Sequence, residues 1–143
     1  MKEPVWVLRE AVFMLHEQSL AQFGGSAGIR DEGLLDSALG KPQNLFAYGK
    51  PSLFDLAASY GFGIVKNHPF IDGNKRAGFV VAVLFLQLNG WRFEAGEADA
   101  TVCTLALAAG EMTEAAYAEW LKANSKRRTW SGTSVVPPTC IAG

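Results

Sequence analysis

From Ser52 to Asn89 the chain reads SLFDLAASYGFGIVKNHPFIDGNKRAGFVVAVLFLQLN, two apolar segments on either side of a polar and charged interruption. Ser52 with Asp55 three residues later is a capping-box signature, and Leu53, Leu56, Ala57, Tyr60 and Ile64 then recur at helical spacing up to about Lys66. A second helix is predicted from Asn74 through GFVVAVLFLQL to Asn89-Gly90, where glycine can take the left-handed conformation that ends a helix. This second helix is apolar nearly all round, so it is expected to be the buried centre of the fold.

Helical periodicity extends outward from this pair. Leu8, Ala11, Val12, Leu15 and Phe23 mark a first helix that Gly24-Gly25 stops. Asp31 can cap a short helix through Leu34, Leu35 and Ala38, ending near Gly40 with Pro42 just beyond. Turn formers then dominate Lys41–Pro51, KPQNLFAYGKP, which predicts an extended flap or small hairpin carrying Leu45, Phe46 and Tyr48. Trp91–Glu97 is short and able to pair as a strand. Asp99 can cap a helix through Val102, Leu105 and Leu107 to Gly110, and Thr113 a last one through Tyr117, Trp120 and Leu121. The reading is an all-α helical bundle around a buried central helix with a short flap, one domain over residues 1–125, and a flexible tail over 126–143.

Composition narrows the function. A chain of 143 residues is one domain's length and can bury about 70% of its extended-chain surface. Hydrophobic residues at 49% and charged residues at 19% exclude a disordered chain. Thirteen basic and fourteen acidic residues leave a net charge of -1, so no global field attracts nucleic acid or an anionic membrane, and any bound anion must be held locally. The run Lys126, Arg127, Arg128 reads as solvated surface at a helix end, with no direct nucleic-acid binding expected. Cys103 and Cys140 have neither metal-site spacing nor histidines beside them, and the start MKEPVWVLREAV has no apolar signal-peptide core. The longest apolar runs, such as Phe79–Leu86, are far short of the roughly 20 residues of a membrane span. A cytoplasmic protein without membrane contact is expected.

The interruption His68-Pro69-Phe70-Ile71-Asp72-Gly73-Asn74-Lys75-Arg76 holds the chemistry. Free N–H groups at a helix start can be satisfied by an anion, and Lys75 and Arg76 are the wrong sign for that end of the dipole unless a multiply charged anion sits there. His68 has the side chain best suited to take a proton from an attacking hydroxyl near neutral pH. Asp72 offers a hard oxygen ligand for Mg²⁺ or Mn²⁺ on a nucleotide, and Gly73 lets the backbone approach a phosphate. Asn74 can cap the helix and donate to a phosphoryl oxygen, while Phe70 is expected to bury its ring and anchor the loop. Taken as residue types alone, the same loop is also ordinary Asp-Gly-Asn turn chemistry with a solvated Lys-Arg pair.

HPFIDGNKR resembles the signature of the Fic/Doc superfamily, HPFx(D/E)GN followed by Gly or Lys and then Arg, and the match is complete over its nine positions. GIRDEGLLDSALGKPQ, the stretch KPQNLFAYG and the helix after Asn74 are similar to the death-on-curing branch, so the resemblance covers about residues 5 to 125. It implies that His68 activates a protein Ser or Thr hydroxyl, that Asp72 holds Mg²⁺, and that Gly73, Asn74, Lys75 and Arg76 surround the phosphates of ATP. It also implies that a flap around Leu45, Phe46 and Tyr48 aligns the target by strand-like pairing; Phe46 and Tyr48 are equally readable as satellite core.

AMP-transferring relatives usually carry Gly at the place of Lys75 and a second Arg at the place of Phe79. Lys75 fills space that Gly would leave for terminal phosphates, and Phe79 cannot make an arginine's charge-assisted bonds. The resemblance therefore implies γ-phosphate transfer, with elongation factor Tu as target and arrested translation as outcome: the toxin of a toxin–antitoxin pair. Gly73 and Ala77 depart from that branch, so AMP transfer remains the alternative, and a non-catalytic nucleotide- or partner-binding module a third reading. No (S/T)xxxE(G/N) helix, the self-restraining device of the superfamily, occurs here, so restraint by a separate Phd-like antitoxin is expected.

Overall fold

Among residues 2–128, which the computed structural model describes, the chain forms six helices and one two-stranded sheet. In order these are α1 (Arg9–Phe23), α2 (Glu32–Tyr48), α3 (Leu53–Asn67), α4 (Asn74–Leu88), β1 (Trp91–Phe93), α5 (Glu97–Ala109), α6 (Glu114–Ala123) and β2 (Ser125–Arg127). Residues 129–143, with Cys140 and most of the expected tail, lie outside the described residues.

Caps and periodicity account for most boundaries. Ser52 and Asp55 form the reciprocal capping box of α3, and the Thr113 hydroxyl accepts from the Ala116 N–H at the start of α6. Asp31 caps α2 by accepting from the Leu34 N–H, and Gly90 at φ 93° terminates α4 just past Asn89. Helix α5 starts earlier than expected, with Gly96 as its N-cap; the Asp99 carboxylate instead accepts a 2.8 Å bond from the Trp120 indole, tying α5 to α6.

Helix α3, not α4, is the most buried element. Ten of its fifteen residues are buried, against seven in α4, and it packs on α2, α4, α5 and α6. Helix α3 presents small residues, Ala57, Ala58, Ser59, Gly61 and Gly63, which admit close neighbours on several sides. A Cβ on Gly78 would lie 2.8 Å from Val65 Cγ2 and 2.9 Å from the Gly61 carbonyl oxygen, so α3 and α4 meet backbone to backbone.

The flap expected over Lys41–Pro51 is absent; Lys41–Tyr48 continues α2, with Pro42 inside the helix. Proline costs such a helix an N–H and a clash, about 3 kcal/mol. Pro42 is buried, however, and Leu45 and Phe46 pack on the core, with Phe46 edge-on to Trp6 at 5.8 Å. The apolar spacing Leu35, Ala38, Pro42, Leu45 therefore runs through the proline, and burial outweighs its penalty. Tyr48 is 91% exposed at the helix end.

Strands β1 and β2 pair antiparallel, Trp91 opposite Arg127 and Phe93 opposite Ser125, so the boundary expected after residue 125 falls inside a strand. The basic run is engaged there: Lys126 lies 3.5 Å from Glu94, Arg127 stacks over Trp91, and Arg128 donates to the Gln87 carbonyl. No helix among the described residues is long and apolar enough to cross a membrane.

The α3–α4 contact yields a paired expectation for urea unfolding. Gly78→Ala forces that contact apart and lowers stability by about 1–3 kcal/mol. Gly40→Ala, where an added Cβ meets nothing within 4 Å on α2, raises it by about 0.5–1 kcal/mol.

Candidate active site

The loop between α3 and α4 begins at a strained residue. His68, the C-cap of α3, has φ 51° and ψ 54° and is the only non-glycine residue with positive φ among the described residues. A left-handed L-residue costs about 1–2 kcal/mol, which the surroundings must offset. The exposed imidazole approaches Asn74 through Nδ1, 3.3 Å from Asn74 Nδ2, and Nε2 has no partner among the described residues.

Asn74 closes the loop. Its Oδ1 accepts from the Phe70 N–H at 2.9 Å and its Nδ2 donates to the Phe70 carbonyl at 3.0 Å, which fixes the amide's orientation. Asn74 is buried and its side chain is spent on the Phe70 backbone, so it does not cap α4; left-handed Gly73 is the N-cap instead. Phe70 buries its ring as expected, stacked on His16 at 3.8 Å. His16 lies on α1 and is itself buried. Its Nε2 is 2.8 Å from the Asp72 carbonyl oxygen, to which it donates as assigned from the bonding partner.

A second segment, Gly24–Asp31, runs along the outside of this loop. Ile29 bridges Phe70 in antiparallel fashion, the Ile71 N–H donates to the Gly28 carbonyl, and the Arg30 N–H donates to the Pro69 carbonyl at 2.6 Å. Gly25 has φ 124°, and a Cβ there would lie 2.9 Å from Asp72 Oδ2. Glycine is thus required where this turn passes the carboxylate.

Asp72 accepts from the Gly73 N–H through Oδ1 at 2.9 Å and from the Ser26 N–H through Oδ2 at 3.2 Å. Each oxygen keeps a second lone pair, and the residue is exposed. One carboxylate fits a Mg²⁺ ion that takes its other ligands from water and phosphate oxygens. Among the described residues no cluster of three or more His, Cys, Asp or Glu side chains could hold a metal by itself.

The N–H groups of Asn74, Lys75 and Arg76 have no partner among the described residues, and no acidic residue occupies the first turn of α4. Lys75 is exposed and makes no ion pair among them. Arg76 is held in place, its guanidinium 3.5 Å over the Phe23 ring and 4.0 Å from Glu97. Two recesses meet at Lys75. One, of about 510 Å³, is bordered by His68, Val102, Leu105 and Glu111; the other, of about 100 Å³, by Arg76, Phe79, Glu97 and Thr104. Phe79 sits edge-on to Phe93 at 5.5 Å and beside Trp120, as part of an aromatic cluster.

His68, Asp72, Gly73, Lys75 and Arg76 therefore converge at the start of α4, with Phe70 beneath them. Leu45, Phe46 and Tyr48 do not join them, because they belong to α2. His16, Gly25, Arg30 and Glu97 are contributors that periodicity and motif spacing did not single out. His16 and Arg30 are distant in sequence from the loop they hold.

A model of the Fic/DOC family matches residues 6–86, more than half of the chain. The chain is 34% identical over 116 residues to a protein named "Protein kinase doc" from Escherichia phage P1, covering 79% of this chain and 90% of that one. It is also 44% identical over 71 residues to "Toxin Doc" from Mycolicibacterium smegmatis, covering 48% of this chain and 54% of that one. The chain belongs to the Fic/DOC family.

Truncating His16 to Ala leaves the Asp72 carbonyl without its donor and a hole beneath Phe70. The expected loss is about 2–4 kcal/mol of unfolding free energy by chemical denaturation, without change in the denaturant slope.

Proposed function

We propose that this protein is the toxin of a toxin–antitoxin pair and transfers the γ-phosphoryl group of ATP to a Ser or Thr hydroxyl of a protein target. The observation that carries the reading is the convergence at one helix start of an imidazole nitrogen, three N–H groups and a lysine that have no partner among the described residues. The names of the two relatives, a protein kinase and a toxin, agree with it.

In this mechanism the target hydroxyl attacks the γ-phosphorus, the new O–P bond forms as the bond to the β,γ-bridging oxygen breaks, and ADP leaves. The proton passes to His68 Nε2, which requires the Nδ1–H tautomer. Asn74 Nδ2, 3.3 Å from Nδ1, can only donate, so the Nδ1–H tautomer gives up this contact. The α4 N–H groups, Lys75 and Arg76 hold the phosphate charge, and Asp72 would hold Mg²⁺, which would neutralise charge on the phosphate oxygens. Phe79 supports phosphoryl over AMP transfer, because it fills an aromatic cluster where AMP-transferring relatives carry a second arginine.

The target-aligning role expected of residues 45–48 passes to Gly24–Asp31. A helix has no free backbone edge to offer, whereas Ile29, bridged to Phe70 on one side, has its own N–H and C=O without partners among the described residues. Elongation factor Tu as target, a Phd-like antitoxin as partner and the cytoplasm as site of action rest on family resemblance.

The test is intact-mass spectrometry of elongation factor Tu after incubation with the protein, ATP and Mg²⁺. A phosphate-sized gain is expected, reduced at least about 100-fold in rate by His68→Ala while nucleotide affinity is retained. An AMP-sized gain would show that Lys75 and Phe79 do not set the nucleotide's direction, and no gain with any protein of a cell lysate would overturn the reading.

A further inference from the structure

We infer that Arg30 is a positioning residue for His68, acting on the backbone rather than on substrate; the inference deepens the transfer reading above and rests on it. The Arg30 side chain donates from Nε to the His68 carbonyl at 2.7 Å and from Nη2 to the Asn67 carbonyl at 2.8 Å. Its own N–H takes the next carbonyl, that of Pro69, at 2.6 Å, where the Asp31 N–H also donates at 3.1 Å. Three consecutive carbonyls are thus held from one residue and its neighbour.

The geometry gives this clamp a specific effect. The Asn67 carbonyl belongs to the peptide plane before His68 Cα, and the His68 carbonyl to the plane after it. Fixing both planes fixes φ and ψ of His68, and with them the direction of its Cα–Cβ bond. His68 is the one non-glycine residue in the left-handed region among the described residues, so its backbone would relax if either plane were released. Arg30 is exposed and makes no ion pair among the described residues, although Asp31 and Asp36 lie close in sequence. Its charge faces the carbonyl end of α3, where a cation is favoured. A planar fork can meet two diverging carbonyls at once, which a lysine ammonium on its flexible stem cannot do in the same way. The Asn67 side chain adds a second fastening by donating to the Leu34 carbonyl at 3.0 Å.

The experiment compares wild type, Arg30→Ala and Arg30→Lys in three measurements: melting temperature, steady-state transfer with ATP varied, and amide hydrogen exchange. For Arg30→Ala, kcat is expected to fall about 10–100-fold, with the KM for ATP within about twofold, because the phosphate-facing start of α4 is untouched. Added guanidinium ion at low millimolar concentration should restore part of that rate. Arg30→Lys, which keeps the charge without the fork, should melt with the wild type and still lose kcat. The His68 amide should exchange faster in both variants while the amides of α4 keep their protection.

Unchanged kcat in Arg30→Ala would overturn the inference. So would a rate loss that only follows a fall in melting temperature in both variants. Should the wild type transfer nothing beyond His68→Ala, the transfer reading fails, and exchange decides for Arg30 separately. Faster exchange confined to residues 67–70 supports the clamp, and unchanged exchange overturns it.

Discussion

A chain that leaves one buried helix through a left-handed histidine and enters the next six residues later must find a partner for every polar group it turns inward. Much of the molecule around this loop serves that constraint. Asn74 closes it from within, His16 supports it from α1, and the segment Gly24–Asp31 lies along its outer edge. The N–H groups at the start of α4 are left without partners among the described residues, a polarity that an anion would complete.

The bundle makes that arrangement stiff by bringing α3 and α4 into backbone contact at Gly61 and Gly78. Side-chain packing tolerates small rearrangements more readily than backbone against backbone, so the two helices that define the loop's ends hold a fixed separation. The aromatic cluster of Phe79, Phe93, Tyr117 and Trp120 then ties α4 to α6 and β1.

Much of this was legible from residues. Caps at Ser52 and Thr113, the glycine stop at Gly90, the strand at Trp91 and the break between the two apolar helices follow from local chemistry, and local chemistry is what a sequence displays. The errors share one cause. Pro42 looked like a helix end, and Asp99 and Asn74 looked like caps, because each has that local preference. In the fold, burial keeps Pro42 inside α2, while Asp99 and Asn74 answer the indole of Trp120 and the backbone of Phe70. His16 and Arg30 escaped notice for the complementary reason: each is unremarkable in its own segment and acquires its role only through contacts 56 and 37–38 residues away. The segment GIRD was part of the family pattern, yet nothing local distinguishes its arginine from a surface charge.

The pairing of β2 with β1 also determines how the domain could be handled as an object. The described chain ends at Arg128, whose N–H bonds to the Gly90 carbonyl beside the C-terminus of α4. A fifteen-residue helix is about 22 Å long. Arg128 therefore lies roughly that far from the start of α4, so a label carried on this edge reports on the sheet without crowding the HPFIDGNKR loop.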